Sequence, residues 1–232
     1  MAQRLIAEGQ YAAPVSGGKV KAMSFWNMFG EDILLFPMER LTTERLILRR
    51  MEMKDAQDIF AYGRNKEVAR HVLWKAYTHI AEVREYIRYM QKKYRAGKAA
   101  SWCIELKDSG RVIGTIGYMW YQPEHNSVEV GYSLAKDQWN QGIMTEALER
   151  VMHYTFMDLQ IHRIEAQHEI DNPASGAVMK KCGMQYEGRL RGRLFNKGRY
   201  VDVDLYSILR PEYVARVKKM DASQQEKSGF AD

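Results

Sequence analysis

Two segments of the chain hold residue types able to do chemistry on a small charged ligand. In Val128-Glu129-Val130-Gly131-Tyr132-Ser133-Leu134, alternation puts Val128, Val130, Tyr132 and Leu134 on one face of a strand and Glu129, Gly131 and Ser133 on the other. Glu129 therefore faces a strip of small residues that leaves room for a ligand, and a carboxylate there is able to accept a proton from an attacking group. A solvated carboxylate on the strand's polar face is the competing reading. Further on, Asn140-Gln141-Gly142-Ile143-Met144-Thr145 leads from the strand into a helix. The N–H groups of such a turn have no intrahelical acceptor, and with the positive end of the helix dipole they make an anion site. Gly142 lets the backbone approach a phosphate with no Cβ in the way. Neither a three-glycine dinucleotide fingerprint nor a GKS/GKT phosphate loop is present, so an ordinary strand-to-helix turn is the alternative.

Other reactive residue types show no comparable pattern. Cys103 and Cys182 lie far apart without CxxC spacing, which points to reduced thiols and an intracellular, cytoplasmic protein. His71, His79, His125, His153, His162 and His168 show no metal-ligand spacing, and no metal is expected. Lys180, Lys181, Arg189, Arg191, Arg193, Lys197 and Arg199 form a basic run with only Glu187 among them. It suits a phosphate, an acidic substrate or RNA, or is simply a solvated hairpin face. Because the run lacks interleaved aromatics and any recognised nucleic-acid motif, nucleic-acid binding is not expected.

These residues need a scaffold, and the hydrophobic periods predict one. Leu46-Ile47-Leu48 reads as a first strand, Asp55 to Asn65 as a helix capped by Asp55, and about His79 to Lys93 as a longer helix with Val83, Ile87 and Met90 on one face. The period then changes to two. Trp102 to Leu106, Val112 to Tyr121 and Val128 to Leu134 predict three antiparallel strands separated by Asp108-Ser109-Gly110 and Pro123-Glu124-His125-Asn126. A helix from about Thr145 to Asp158, a strand from Arg163 to Ile170 and a short helix from Ala174 to Lys181 follow. A last hairpin, Met184–Phe195 and Tyr200–Leu209, turns at Asn196-Lys197-Gly198. The order βααβββαβαββ is an α+β arrangement around one mixed central sheet.

Length and composition agree with one domain carrying extensions. The chain has 232 residues, 46% hydrophobic and 28% charged, with a formal net charge of +6, which is ordinary globular usage and too mild an excess to choose a partner. No apolar h-region and no run of about 18 apolar residues is present, so neither secretion nor membrane insertion is expected. Residues 1–37 read as an extension in which Phe25, Trp26, Phe29, Ile33 and Phe36 make a short amphipathic piece near helical spacing. Residues 38–212 read as the domain and 213–232 as a polar tail, with both ends mobile.

The element order and four ordered motifs resemble the GCN5-related N-acetyltransferase superfamily, specifically its RimJ/RimL-type branch. The motifs are Leu41-Thr42-Thr43-Glu44-Arg45-Leu46-Ile47-Leu48-Arg49, Gln141-Gly142-Ile143-Met144-Thr145-Glu146-Ala147, Asp171-Asn172-Pro173-Ala174-Ser175 with Lys181-Cys182-Gly183-Met184, and Tyr186-Glu187-Gly188-Arg189-Leu190-Arg191 leading to Tyr206-Ser207-Ile208-Leu209. The resemblance covers about residues 40–212 and implies a mostly antiparallel sheet flanked by helices. It also implies transfer of acetyl from acetyl-CoA to an amine, with the pyrophosphate on the amides of Gln141, Gly142, Ile143, Met144 and Thr145. Pantetheine would lie between strands that splay after Gly131, near Leu134, and Asn172 would hold the coenzyme arm. Glu129 takes the place of the glutamate base of histone-type relatives. Met179 stands where many members carry an acidic tyrosine, and Ser175 is the substitute, unless it only caps its helix. Trp139 and Met144 depart from the family's phosphate loop at its first and last positions. The implied acceptor is a protein N-terminal α-amine, with a polyamine, a drug-like amine or a non-catalytic CoA-binding role as alternatives and monomer or dimer both open.

Overall fold

The computed structural model describes residues 36–228 and, ahead of them, two short paired strands, β1 (Phe25–Trp26) and β2 (Asp32–Ile33). Phe25 pairs with Ile33 and Trp26 with Asp32, so at these four positions the backbone is extended rather than helical, contrary to the spacing of the apolar residues. The rest of the expected amphipathic piece before Phe36 lies outside the described residues.

The main sheet begins with β3 (Leu41–Thr42) and β4 (Leu46–Arg49), followed by α1 (Ala56–Gly63), α2 (Lys66–Ala69) and α3 (Ile80–Arg95). The meander β5 (Ser101–Leu106), β6 (Val112–Gln122) and β7 (Ser127–Leu134) comes next. Then α4 (Ile143–His153), β8 (Arg163–Glu169), α5 (Pro173–Lys181), β9 (Gln185–Asn196), β10 (Arg199–Leu209) and α6 (Arg210–Ser228) complete the order. The eight strands lie in the sequence β3-β4-β5-β6-β7-β8-β10-β9. Every neighbouring pair is antiparallel except β7 with β8.

Local chemistry accounts for these elements. Val83, Ile87, Met90 and Tyr94 fall on one stripe of α3 and are buried, while Glu82 accepts from the N–H groups of Thr78 and His79 at 2.8 Å each to close the helix start. The tip between β9 and β10 has both Lys197 (φ 49°) and Gly198 (φ 91°) in left-handed conformations, the pattern of the tightest hairpin turns. Trp102, Ile104, Ile116, Tyr118, Leu148, Val151 and Phe156 are fully or nearly fully buried between the sheet and its helices. The apolar face of α4 was legible in the sequence, and its last turn, Tyr154–Asp158, widens to a π-helix.

Three expectations change. Asp55 does not cap α1: its carboxylate is buried and clamps the Arg49 guanidinium through two 2.8 Å hydrogen bonds. The polar stretch from 213, expected as a tail, continues α6, whose Tyr213 is buried against the core with its ring tilted 31° to that of Phe156 and 5.0 Å from it. Phe36, on the outer side of the expected boundary at 38, is a core residue.

Candidate functional site

The parallel pairing of β7 and β8 is confined to Ser127 with Arg163, Val128 with Ile164 and Glu129 with Glu165. Beyond Glu129 the strands part, two residues earlier than the expected fork at Gly131. A bulge at Met119 in β6, opposite Val130 and Glu129, adds local twist at the same level. Alongside the open fork, between α2, α4 and α5, lies a cleft of about 660 Å³, a size suited to a cofactor or substrate.

Seven of the nine expected site residues line this cleft: Leu134, Gly142, Ile143, Met144, Thr145, Asn172 and Ser175. Gly142 sits at φ +77°, a left-handed conformation that turns the chain into α4. Glu146 is the first amide bonded back, to the Gly142 carbonyl at 3.0 Å; those of Ile143, Met144 and Thr145 have no acceptor among the described residues. They form a row of free donors at the positive end of an 11-residue helix.

Gln141 turns its side chain away, its Nε2 donating to the Asp137 carbonyl at 2.8 Å, so only its backbone serves the loop. Arg45 braces that backbone: its Nη1 donates to the Gln141 carbonyl at 3.0 Å, and its guanidinium pairs with Glu146 at 2.6 Å. Burial raises the Glu146 carboxyl, but hydrogen bonds from Thr43 and Arg45 outweigh it and hold the group below its ordinary range. Arg45 belongs to the first of the four motifs, where the sequence assigns it no role.

Trp139 donates its indole N–H to the Leu134 carbonyl at 2.9 Å, so that carbonyl is occupied from within the chain. The side-chain amide of Asn172 has no partner among the described residues and borders the cleft. Ser175 does not cap α5; its hydroxyl donates to the Tyr132 hydroxyl at 3.0 Å, which in turn donates to the Ser175 carbonyl at 3.1 Å. Burial pushes the Tyr132 phenol well above its usual value, so it stays protonated. Tyr132 reads in the sequence as a core-facing residue; where the fork opens, the core face becomes the cleft wall. Met179 is buried and touches no proton chemistry.

Glu129 is not among the cleft-lining residues. Its carboxylate accepts from the Trp120 indole at 2.5 Å and from Gln167 Nε2 at 2.9 Å, tying together the three strands at the last paired position before the fork. Burial raises its pKa.

Sequence reasoning missed a second constellation on the cleft. His71, in the turn after α2, lines the wall and places Nδ1 3.1 Å from Glu169 Oε2. Glu169 also accepts from Asn196, and Arg199 stands 4.0 Å from it and 3.8 Å from Asp171. His71, Glu169 and Asp171 offer ligand atoms within 4.8 Å of one another, and the exposed Arg199 guanidinium stands beside both carboxylates.

The basic run is largely engaged. Arg189 pairs with Asp204 at 2.9 Å, Lys180 lies over the Tyr206 ring and the Lys197 ammonium caps the Arg70 and Val72 carbonyls. Both thiols are free, buried and pushed up to about 12 by burial, so neither offers a thiolate nucleophile at neutral pH. Among the described residues no helix is long and apolar enough to cross a membrane.

A family model described as an acetyltransferase (GNAT) domain matches residues 45–185. An uncharacterized N-acetyltransferase p20 of Bacillus licheniformis is 35% identical over 176 residues, 76% of this chain and 99% of the relative. Other relatives have named acceptors. The spermidine N(1)-acetyltransferase of Vibrio cholerae is 24% identical over 74% of this chain and 97% of its own, and the ribosomal-protein-serine acetyltransferase of Escherichia coli is 30% identical over 49% and 63%. Among solved structures, a GNAT-family acetyltransferase from Bacillus anthracis superposes with a TM-score of 0.68 at 25% identity, covering 75% of this chain and all of that one. A ribosomal L7/L12 α-N-protein acetyltransferase in complex with coenzyme A shares the fold at a TM-score of 0.67 and 23% identity, over 74% and 98%.

Proposed function

The chain belongs to the acetyltransferase (GNAT) family and is an N-acetyltransferase; from that premise we propose that it transfers the acetyl group of acetyl-CoA to a primary amine by direct attack in a ternary complex, with a protein N-terminal α-amine as acceptor. The observation that carries the reading is the row of free amides at Ile143, Met144 and Thr145, opening onto the same cleft as Asn172 and Ser175. Acetyl-CoA supplies an activated thioester. The amides, backed by Arg45, suit its pyrophosphate; the unpartnered Asn172 amide suits its pantetheine arm, together with backbone near Leu134 once Trp139 yields that carbonyl. Absence of an ionised thiol among Cys103 and Cys182 favours direct attack over an acyl-enzyme.

The choice of acceptor follows from proton affinity. An α-amine near pKa ~7.7–8 is partly neutral in the cytoplasm, where we place the reaction, whereas a lysine near ~10.4 is almost wholly protonated. A polyamine is the second reading, favoured by the spermidine-acetylating relative. Calorimetry with acetyl-CoA, followed by a thiol-release screen of Ser- and Ala-starting peptides against spermidine, tests both steps. We expect acetyl-CoA at a hundredfold excess over Kd to raise stability by about 2.7 kcal/mol. No binding heat and no shift in melting would defeat the proposal.

Ser175 and Tyr132 together form the hydroxyl pair assigned to the coenzyme sulfur. A thiolate is already a tolerable leaving group, and the Ser175 hydroxyl adds one hydrogen bond worth about 0.5–1.5 kcal/mol. Ser175→Ala is therefore expected to slow kcat by no more than roughly tenfold. A loss above a thousandfold, with the basic limb of the pH profile displaced, would make the hydroxyl an obligatory acid.

A further inference from the structure

We propose that His71, held by the buried carboxylate of Glu169, is the base that takes the proton from the acceptor amine, acting through Nε2 at the cleft wall. The inference rests on the acetyl-transfer reading above and adds the group that activates the acceptor. Four observations carry it. His71 lines the same cleft as Ser175 and Asn172. Its Nδ1 is 3.1 Å from Glu169 Oε2, while Nε2 has no partner among the described residues. The Glu169 side chain is only 3% exposed and is fixed by Asn196, so it is an orienting group rather than a solvated charge. The His71 segment is itself tied down, because the Lys197 ammonium caps the carbonyls of Arg70 and Val72 on either side of it.

A carboxylate accepting from Nδ1–H fixes the neutral imidazole in the tautomer whose Nε2 lone pair faces outward, the arrangement a general base requires. The groups facing His71 are Glu169 at the end of β8, Asp171 in the turn that follows at 3.5 Å, Arg199 at the start of β10 and Lys197 at the hairpin tip. Both carboxylates lie on the Nδ1 side of the ring, and the exposed Arg199 guanidinium stands 4.0 Å from Glu169 and 3.8 Å from Asp171. In the step itself, Nε2 takes one proton from the ammonium and the freed nitrogen lone pair forms the new C–N bond at the acetyl carbonyl. The C–S bond breaks with its electron pair going to sulfur. The nitrogen then gives up its second proton, which passes to the departing thiolate through solvent or the Ser175–Tyr132 pair, and the imidazolium returns the first to solvent. Of the two protons the ammonium loses, one thus ends on the thiol and one in solvent.

Glu129 is the rival for this role, and the two assignments separate experimentally. His71→Gln is expected to lower kcat/KM by roughly 10²–10⁴ and to remove the acidic limb of its pH profile, with acetyl-CoA affinity by calorimetry unchanged. The acceptor probes are a Ser-starting tetrapeptide and spermidine; where neither turns over, slow hydrolysis of acetyl-CoA, with water in the amine's place, is read instead. Nitrogen-15 NMR of the imidazoles in protein without acetyl-CoA gives a readout independent of turnover. Neutral His71 should carry its proton on Nδ1, and Glu169→Gln should disturb that preference while the protein stays folded. An acidic limb retained by His71→Gln and lost by Glu129→Gln, or a neutral His71 protonated on Nε2, would overturn the inference. If acetyl-CoA does not bind the parent protein, the underlying functional reading falls, an outcome distinct from a parent that acetylates and a His71→Gln variant that does so equally well, which overturns this inference alone.

Discussion

Gly142→Val is expected to weaken acetyl-CoA binding by roughly a hundredfold while the protein remains folded. Gly142 adopts φ +77° at the entry to α4, and a β-branched residue is a genuine outlier there. Nothing in the protein blocks the space, since an added Cβ would meet only Arg45 Nη2, at 3.6 Å. The strain is thus in the backbone, about 1–3 kcal/mol, and the chain relieves it by rotating the peptide units that carry the free amides. Losing two charge-assisted hydrogen bonds at about 1.5 kcal/mol each gives close to 3 kcal/mol, or about two orders of magnitude in Kd. Isothermal calorimetry reads this directly, with circular dichroism to verify the fold. Affinity within threefold of the parent would show that the pyrophosphate is held elsewhere.

The second large effect concerns stability. Phe36→Ala should cost about 3–5 kcal/mol, as other fully buried aromatics do. The Phe36 ring packs 4.9 Å from Tyr118 and 5.1 Å from Tyr121, and its N–H donates to the Gly97 carbonyl at 2.8 Å, joining the segment before β3 to the end of α3. The consequence for chain trimming is sharp. Removing residues 1–37 should lose this stability, whereas removing 1–35 keeps the ring, and the difference between the two in urea midpoints reads Phe36 together with the Pro37 carbonyl that accepts from Arg50. Equal midpoints would mean that the sheet closes over the vacancy and that the domain does begin at Met38.

How far these features are legible in the sequence depends on how local their causes are. The Gly142 turn is readable because a glycine before an apolar helical stripe is a short-range pattern, and β5 to β7 are readable because their alternation is uninterrupted. Asp55 misleads because a helix-start aspartate looks like a cap until strand β4 delivers Arg49 to it. His71 carries no periodic signal in its turn, and its meaning depends on Glu169, 98 positions away. Tyr132 follows the core alternation of β7, and only the parting of β8 converts that face into a wall of the cleft. Tyr213 and Val217 pack on the core from a segment whose polar composition hides them.

That parting bears on how the molecule holds together. Three residue pairs join β7 to β8, so the sheet is two antiparallel blocks, β3 to β7 and β8 with β10 and β9, meeting along a short seam. Each block is built mostly from strands that neighbour one another in the chain, the kind of contact that forms early and opens as a unit. The seam is the natural fault line of cooperativity, and a coenzyme arm lying in the fork, as proposed above, would bridge it. Substrate binding then doubles as mortar: native-state hydrogen exchange should show the two blocks opening separately in the free protein and together once acetyl-CoA bridges them, and identical exchange in both states would show that the helices alone couple the halves.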